Sequence, residues 1–422
     1  MDVQRLPVRW LTRARGSIGA RAPTATAGLI LIGLAWVGCG EGAGDPGDPE
    51  LELGRAYVAS WAVGRAALEA ALEGVDNGYA TQRRARYTED DWGALPVWDP
   101  PVRAVAREDL GRGEPSDTTD WVGLDADGAP WTREGLIELG RRAFQRYPVQ
   151  VLPVLRHGLR DADGAARVGL GAQGGGVGGL VWVLLSDGAI EPAMTCATCH
   201  DGGAAGRAAA DFDLGRLQEE ARGTRTAASR WGPGRLDVTG DDEDNPTAIP
   251  DLRPVRFQTH LHRAATMRND LLALAVRTET LLIASSGGAF RPPRAVPFAM
   301  ALYLRALADD LPPVPSEGAG RVVFDAHCAR CHGGPGLSGG PLPIADVGTP
   351  DAVARSPERG TGRWRVPSLR GLGDRGLLFA GGGVRGGIDE LLDPARAMPG
   401  HPFGLALAPS DRRALADFLR LL

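Results

Sequence analysis

The five residues CATCH at positions 196–200 recur as CARCH at positions 328–332. In both stretches two residues separate a pair of cysteines, and a histidine directly follows the second cysteine. This order is the attachment signal of a c-type haem: each cysteine can form a thioether with one haem vinyl group, and the histidine then lies under the iron. The predicted attachment residues are Cys196, Cys199, Cys328 and Cys331, and the predicted iron ligands are His200 and His332.

Cysteine usage favours haem over the other chemistries of paired cysteines. The chain has 5 Cys and 7 His among 422 residues, and four of the cysteines belong to the two stretches. The alternatives are a four-cysteine zinc site and a thioredoxin-like redox pair. Both alternatives are disfavoured because the cysteine pairs lie far apart in the chain and each pair is directly followed by a histidine. The sequence therefore predicts two covalently bound c-type haems.

Length and composition indicate a globular protein of two or three domains. A hydrophobic content of 43% is sufficient for a sizeable core. The net charge is -5, and all 47 basic residues are arginine. Because the chain is not basic overall, no nucleic-acid partner is expected.

The N-terminal segment has the features of an export signal. Arginines precede an apolar stretch at 28–38 that is too short to span a bilayer. The following residues resemble a bacterial lipobox, and by that resemblance Cys39 becomes the lipidated N-terminus of a lipoprotein anchored on the periplasmic side of the cell envelope, in the outer membrane. An ordinary cleaved signal is the alternative. The Gly/Asp/Pro-rich residues 40–55 then form a flexible tether.

Two halves of the chain share a series of short motifs, which indicates an internal repeat. Each half has a glycine followed four residues later by phenylalanine, a proline motif after the cysteines, and an amphipathic helix at its end. A proline-rich hinge at 309–316 separates the halves. The matched segments are 140–144 with 320–324, 249–253 with 366–370, and 301–307 with 416–422.

This arrangement resembles the bacterial di-haem cytochrome c peroxidase superfamily, which includes related di-haem oxygenases. The resemblance covers residues 136–422 and is clearest at the haem motifs, at VPSLR (366–370) and at GHPFG (400–404). It implies a mainly α protein with two cytochrome-c-like haem domains, extended loops and an N-terminal cap. The expected divisions are an export signal at 1–39, a tether at 40–55, a cap at 56–135, a first haem domain with an insertion at 136–310, and a second haem domain at 317–422.

The ligand on the second face of each iron decides between electron transfer and binding of a substrate. For the second haem the candidates are His401, which the resemblance favours, and Met398. For the first haem they are His262, His260 and, less favoured, Met267. At most one of these two histidines is expected to bind the iron. An open coordination position at this haem is the remaining alternative.

Two functions follow from these expectations. The first is a di-haem peroxidase-like or oxygenase-like enzyme that passes electrons between its haems and reduces peroxide. The second is a non-catalytic, membrane-tethered electron carrier. Enzymatic activity stays open because FAGG (379–382) stands where peroxidases usually carry His-Asp-Gly. A small redox protein is the expected donor or acceptor, and the acidic run at 241–245 is a candidate Ca²⁺ site.

Overall fold

The computed structural model describes residues 47–116, 119–173, 176–239 and 243–422. The export segment and Cys39 lie outside these ranges. In the part described, no helix has both the length and the apolar character needed to cross a bilayer.

Helices account for most of the regular structure. Those of the N-terminal part are α1 (Pro49–Ala59), α2 (Trp61–Ala71), α3 (Gly78–Arg86), α4 (Arg133–Arg146), α5 (Leu155–Gly158), α6 (Ala162–Arg167), α7 (Cys196–His200), α8 (Leu214–Arg222), α9 (Leu271–Ser285) and α10 (Ala295–Ala306). Those of the C-terminal part are α11 (Ala319–His327), α12 (Ile344–Val347), α13 (Ala352–Arg355), α14 (Gly387–Leu391) and α15 (Pro409–Arg420). Helix α1 begins inside the stretch predicted as a tether, because Asp48 caps its first turn.

The strands form four antiparallel sheets. They are β1 (Val102–Ala106), β2 (Gln150–Val151), β3 (Ala172–Gln173), β4 (Gly176–Leu184), β5 (Ile190–Met194), β6 (Arg235–Leu236), β7 (Thr247–Ala248), β8 (His260–Leu261), β9 (Met267–Arg268), β10 (Gly339–Pro343) and β11 (Arg363–Val366). The largest sheet has the order β1-β4-β5-β2, with β3 also paired to β4. The other sheets are the pairs β6–β7, β8–β9 and β10–β11.

The fold is mixed α/β, with 40% helix and 12% strand, so the prediction of a mainly α protein is wrong. The difference arises in the insertion ahead of the first cysteine pair. There β4 has the sequence GVGGLVWVL, whose apolar and β-branched residues are buried from Leu180 to Val183 and favour a strand covered on both faces. The sequence had indicated an insertion in this half, without assigning strands to it.

The predicted cap does not stand apart from the first half. Residues of α1, α2 and α3 share one apolar core with α4, α9 and α10. Tyr57, Leu68 and Tyr87 of the cap are fully buried in it. The five-stranded sheet has a second core, and the helices α11 and α15 belong to a third.

Two crossed helix pairs position the two cysteine motifs. Helix α4 packs against α10, and α11 packs against α15. In each pair a glycine marks the closest approach: a Cβ on Gly140 would overlap the carbonyl oxygen of Ala299, and a Cβ on Gly320 would overlap that of Ala414. One aromatic contact accompanies each crossing. The ring centroids lie 5.5 Å apart for Phe144–Tyr303 and 5.1 Å apart for Phe324–Phe418.

Candidate functional site

The first motif forms a single helical turn, α7, directly after β5. Thr195 caps this turn and also donates its hydroxyl to the carbonyl oxygen of Gly179 on β4, at 2.7 Å. Residues three and four apart on a helix lie on one face, so Cys196, Cys199 and His200 present their side chains together. Both cysteines are free thiols, and burial raises the pKa of each to about 12.

His200 is oriented through one ring nitrogen. Its Nδ1 lies 3.0 Å from the carbonyl oxygen of Pro250. A carbonyl oxygen can only accept, so Nδ1 carries the proton and Nε2 keeps its lone pair for a metal. Burial, helped by the nearby positive charge of Arg277, lowers the pKa of His200 to about 4, which keeps the imidazole neutral.

The second motif repeats this arrangement. The amide groups of Cys331 and His332 both donate to the carbonyl oxygen of Cys328, at 3.1 and 2.9 Å, and so close a helical turn at the end of α11. Nδ1 of His332 lies 3.3 Å from the carbonyl oxygen of Leu337, and the backbone of Pro367 is a further partner of this ring. Pro250 and Pro367 occupy the same place in the repeated motifs IPDLR and VPSLR, so the two halves hold their histidines in the same way.

His401 lies opposite His332. The centroids of the two imidazole rings are 6.5 Å apart, and their planes are inclined by 62°. Imidazoles bound to opposite faces of one metal, each through a bond of about 2 Å, have centroids about 6 Å apart. The separation would therefore allow His332 and His401 to hold one metal ion together.

Aromatic packing holds the ring of His401 in this position. Phe379 and Phe403 contact it, with centroid distances of 5.7 and 5.2 Å. Burial, with smaller contributions from His332 and Arg396, lowers the pKa of His401 to about 4, so its imidazole is neutral. Phe379 belongs to the FAGG segment that replaces the expected peroxidase motif, and its contact with His401 gives that segment a role the sequence did not reveal.

Met398, the other candidate for the second haem, lies against Gly383. A Cβ on Gly383 would overlap the sulfur of Met398. The side chain is half-buried against the apolar core of the C-terminal helices. The ring contact of His332 is therefore with His401, whereas Met398 packs against Gly383.

The candidates near the first motif are not arranged in this way. Nε2 of His262 lies 3.4 Å from a guanidinium nitrogen of Arg359, and the His262 ring meets Tyr79 edge-on at 4.8 Å. The sulfur of Met267 is fully buried and accepts a hydrogen bond from the Tyr79 hydroxyl, at 3.2 Å. His260 contacts the hydroxyl of Thr259, at 3.1 Å. In the described part of the chain, no histidine ring faces His200 as His401 faces His332.

The prediction of a metal-binding protein is wrong where it implies a site built from protein side chains. In the described ranges, no group of three or more His, Cys, Asp or Glu side chains could hold an ion. In the predicted Ca²⁺ segment, Asp244 accepts from Arg230 at 2.9 Å and from the indole of Trp231 at 2.5 Å. Asp241 and Asp242 lie outside the described residues.

A porphyrin places different demands on the protein, because its own four nitrogens surround the iron and the chain adds only axial ligands. The described residues fit such a group at both motifs. Each has two free thiols and an imidazole with Nε2 available, and the second also has a facing imidazole. At His401, Nδ1 is buried without a hydrogen-bond partner.

Comparison of the chain with protein-family models, with curated proteins and with solved structures finds no match. The resemblance to the di-haem peroxidase superfamily therefore stays a prediction, and function has to be inferred from the chemistry of the two motifs.

Proposed function

We propose that the chain is an exported di-haem c-type cytochrome, a redox protein that transfers electrons between two haems and uses one of them to reduce peroxide. One observation carries the proposal: both CxxCH turns hold their histidine through a backbone carbonyl contact at Nδ1, with Nε2 left for iron. A redox thiol pair would have no need for this orientation of the histidine.

A haem bound at each motif supplies an iron that changes between two oxidation states and so carries single electrons. The cysteines hold it covalently, and the neutral imidazoles of His200 and His332 are ready to bind the metal. His401 adds a second imidazole at the C-terminal motif. Two axial imidazoles suit a site that only exchanges electrons.

The N-terminal motif has residues suited to a different task. His262 is engaged with Arg359, and the surroundings hold guanidinium groups and the Tyr79 ring in place of a second ligand facing His200. A coordination position left open can receive a small ligand. This difference between the motifs supports peroxide reduction over a carrier with two closed sites.

The first test is the mass of the mature, exported protein. Two covalently added haems are expected, and their absence from both peptides would reject the proposal. Replacing Cys196 and Cys199 with serine should remove one haem, and replacing Cys328 and Cys331 should remove the other.

The second test is the spin state of each iron. The oxidised protein is expected to show one low-spin and one high-spin EPR signal, with the high-spin signal shifting when cyanide is added. Two low-spin signals in every redox state would reject peroxide reduction and favour the non-catalytic carrier, as would a failure to consume peroxide with a reduced cytochrome c donor.

A further inference from the structure

Six arginines are enclosed near the two motifs and form two groups. The first triad surrounds Tyr79: the guanidinium carbons of Arg83 and Arg359 lie 3.9 and 4.4 Å from its ring centroid. Arg277 of α9 completes this triad and is close enough to Cys196 and His200 to influence both electrostatically. The second triad consists of Arg263, Arg365 and Arg375.

The second triad lies between the halves of the chain. Arg263 donates to the carbonyl oxygen of Ala248 at 2.7 Å, and its own carbonyl oxygen accepts from the amide of Arg365 at 2.9 Å. Arg375 donates to the carbonyl oxygen of Ser368 at 2.9 Å and influences His332 electrostatically. One triad is therefore associated with each motif.

These arginines have almost no negative partners. Arg83 lies 3.9 Å from Glu358, and Arg375 lies 3.8 Å from Asp251, which is already paired with Arg253 at 2.6 Å. Within the described ranges the other four arginines make no ion pair, and Arg277 also makes no side-chain hydrogen bond. Buried Nε atoms without a partner are found on Arg83, Arg359, Arg365 and Arg375.

Such an arrangement is costly for the protein alone. Burial lowers the pKa of Arg359 to about 10 and that of Arg365 to about 9, because each guanidinium loses hydration. The negative charge of Glu358 offsets only part of this loss at Arg359. Guanidinium groups bind carboxylates through paired hydrogen bonds. A ligand with several carboxylates, held within the same enclosed region, would offset this cost.

We propose that the two arginine triads are receptors for the propionate carboxylates of the two haems, one triad for each. The inference rests on the proposed haem attachment. Two haems bring four propionate carboxylates, and six guanidinium groups are available to receive them. The triads thereby hold positive charge beside each iron and stabilise its reduced, less positive state.

The test measures the reduction potential of each haem in the intact, haem-loaded protein. Arg277→Gln is the main variant, because this side chain makes no hydrogen bond to any residue that the structure describes and its loss should leave the fold intact. We expect it to lower the potential of the haem at Cys196 and Cys199. Arg375→Gln should lower that of the other haem, because Arg375 is the arginine of the second triad that influences His332 electrostatically. Arg156→Gln is the matched control, since Arg156 is a half-buried arginine paired with Glu191 at 3.2 Å beside the large sheet, and it should shift neither.

A measurement on the unaltered protein accompanies the variants. Paired propionates stay ionised, so both potentials should be independent of pH between about 5 and 8, and a pH dependence should appear at one haem in Arg277→Gln. Unchanged potentials in both triad variants would overturn the proposal. The proposal would also be overturned if added acetate shifted the potential of the unaltered protein and Arg277→Gln abolished that shift, because the triad would then bind a free anion. If the measured mass of the protein shows no attached haem, the result rejects the proposed function itself.

Discussion

The axial position opposite His332 illustrates how single residues are selected by the fold. His401 and Met398 are three residues apart in one loop, and both side chains are chemically able to bind haem iron. The backbone turns at His401, with φ of 45°, and its amide donates to the carbonyl oxygen of Val347 at 2.6 Å. This turn and the flanking phenylalanines direct the imidazole toward His332, whereas Met398 packs against Gly383.

Replacing His401 should therefore leave one coordination position of the iron at the second motif unoccupied by the protein. We expect His401→Gly to convert that iron from a low-spin to a high-spin EPR signal, and added imidazole to restore the low-spin signal by filling the space. Met398→Leu, the matched control, should leave the spectrum unchanged. If instead only the Met398 variant became high-spin, the assignment of His401 would be wrong.

A buried carboxylate illustrates the cost of leaving a charge alone. Glu279 of α9 is fully buried and accepts hydrogen bonds from the hydroxyls of Tyr57 and Tyr87, at 2.6 and 2.5 Å, and from Nε of Arg294, at 3.2 Å. Burial, together with the negative charge of Glu279, raises the pKa of both tyrosines well above its usual range, so they remain donors. These hydrogen bonds connect α1 and the C-terminal end of α3 to α9.

Removing this carboxylate should be far more harmful than removing one donor. Glu279→Ala leaves Arg294 buried without its partner and should lower the free energy of unfolding by about 3–5 kcal/mol. Tyr57→Phe removes one hydrogen bond to a charged group and should cost about 1.5–3 kcal/mol. Urea unfolding followed by circular dichroism measures both, and equal losses in the two variants would contradict this ranking.

At the scale of elements, the matched helix crossings depend on glycines that allow close approach. Gly140 lies where α4 meets the backbone of α10, and Gly320 lies where α11 meets that of α15. A glycine inside a helix lowers its stability, so its presence at both crossings indicates that the contact requires it.

Adding one methyl group at either crossing should push the helices apart. We expect Gly140→Ala and Gly320→Ala each to lower the free energy of unfolding by about 1–3 kcal/mol through overpacking. Gly381→Ala is the control, because a Cβ there meets no atom within 4 Å. A control variant as unstable as the other two would show that the crossings are not the cause.

The large sheet depends on one buried carboxylate. Asp109 is fully buried and accepts from the amides of Ser116 and Ala106, at 2.6 and 2.8 Å, and from the indole of Trp182 on β4, at 2.8 Å. Burial alone raises the pKa of Asp109, but the hydrogen bonds from Ser116, Trp182 and Ala106 outweigh it and leave the pKa below its usual range.

This lowered pKa predicts a pH-dependent contribution to stability. A carboxyl whose pKa is lower in the folded state stabilises the fold above its unfolded pKa of about 3.9, and the stabilisation is lost as the pH falls through the folded pKa. At neutral pH, Asp109→Asn should therefore cost about 1.5–3 kcal/mol of unfolding free energy. The difference from the unaltered protein should shrink below about pH 4, and a difference that is constant down to pH 2 would contradict the assignment.

At the scale of the whole molecule, two similar halves carry unlike sites. The helix crossings and the histidine–carbonyl contacts repeat, whereas among the described residues no histidine ring contacts His200 as His401 contacts His332. The first half also contains the sheet insertion and shares its core with the cap. The repeat therefore accounts for how both histidines are held, and the added elements account for why their surroundings differ.

The sequence predicted the features that depend on residues close together in the chain. The cysteine–histidine spacing placed three side chains on one helical turn, and the motifs IPDLR and VPSLR marked the segments whose prolines meet the histidines. The amphipathic helices predicted at 301–307 and 416–422 coincide with the C-terminal parts of α10 and α15, because apolar periodicity is a local signal. The sheet was not predicted, because strands such as β1 and β4 pair although they are remote in the chain.

Local spacing by itself determined which residues could attach a haem and bind its iron from one side, because thioether formation and the first axial bond need only neighbours along the chain. Only the tertiary structure decided that the ring of His401 contacts that of His332, that His262 is engaged with Arg359, and that six arginines are enclosed with few counterions. These features depend on distances between side chains that are remote in sequence, and no short pattern records such distances.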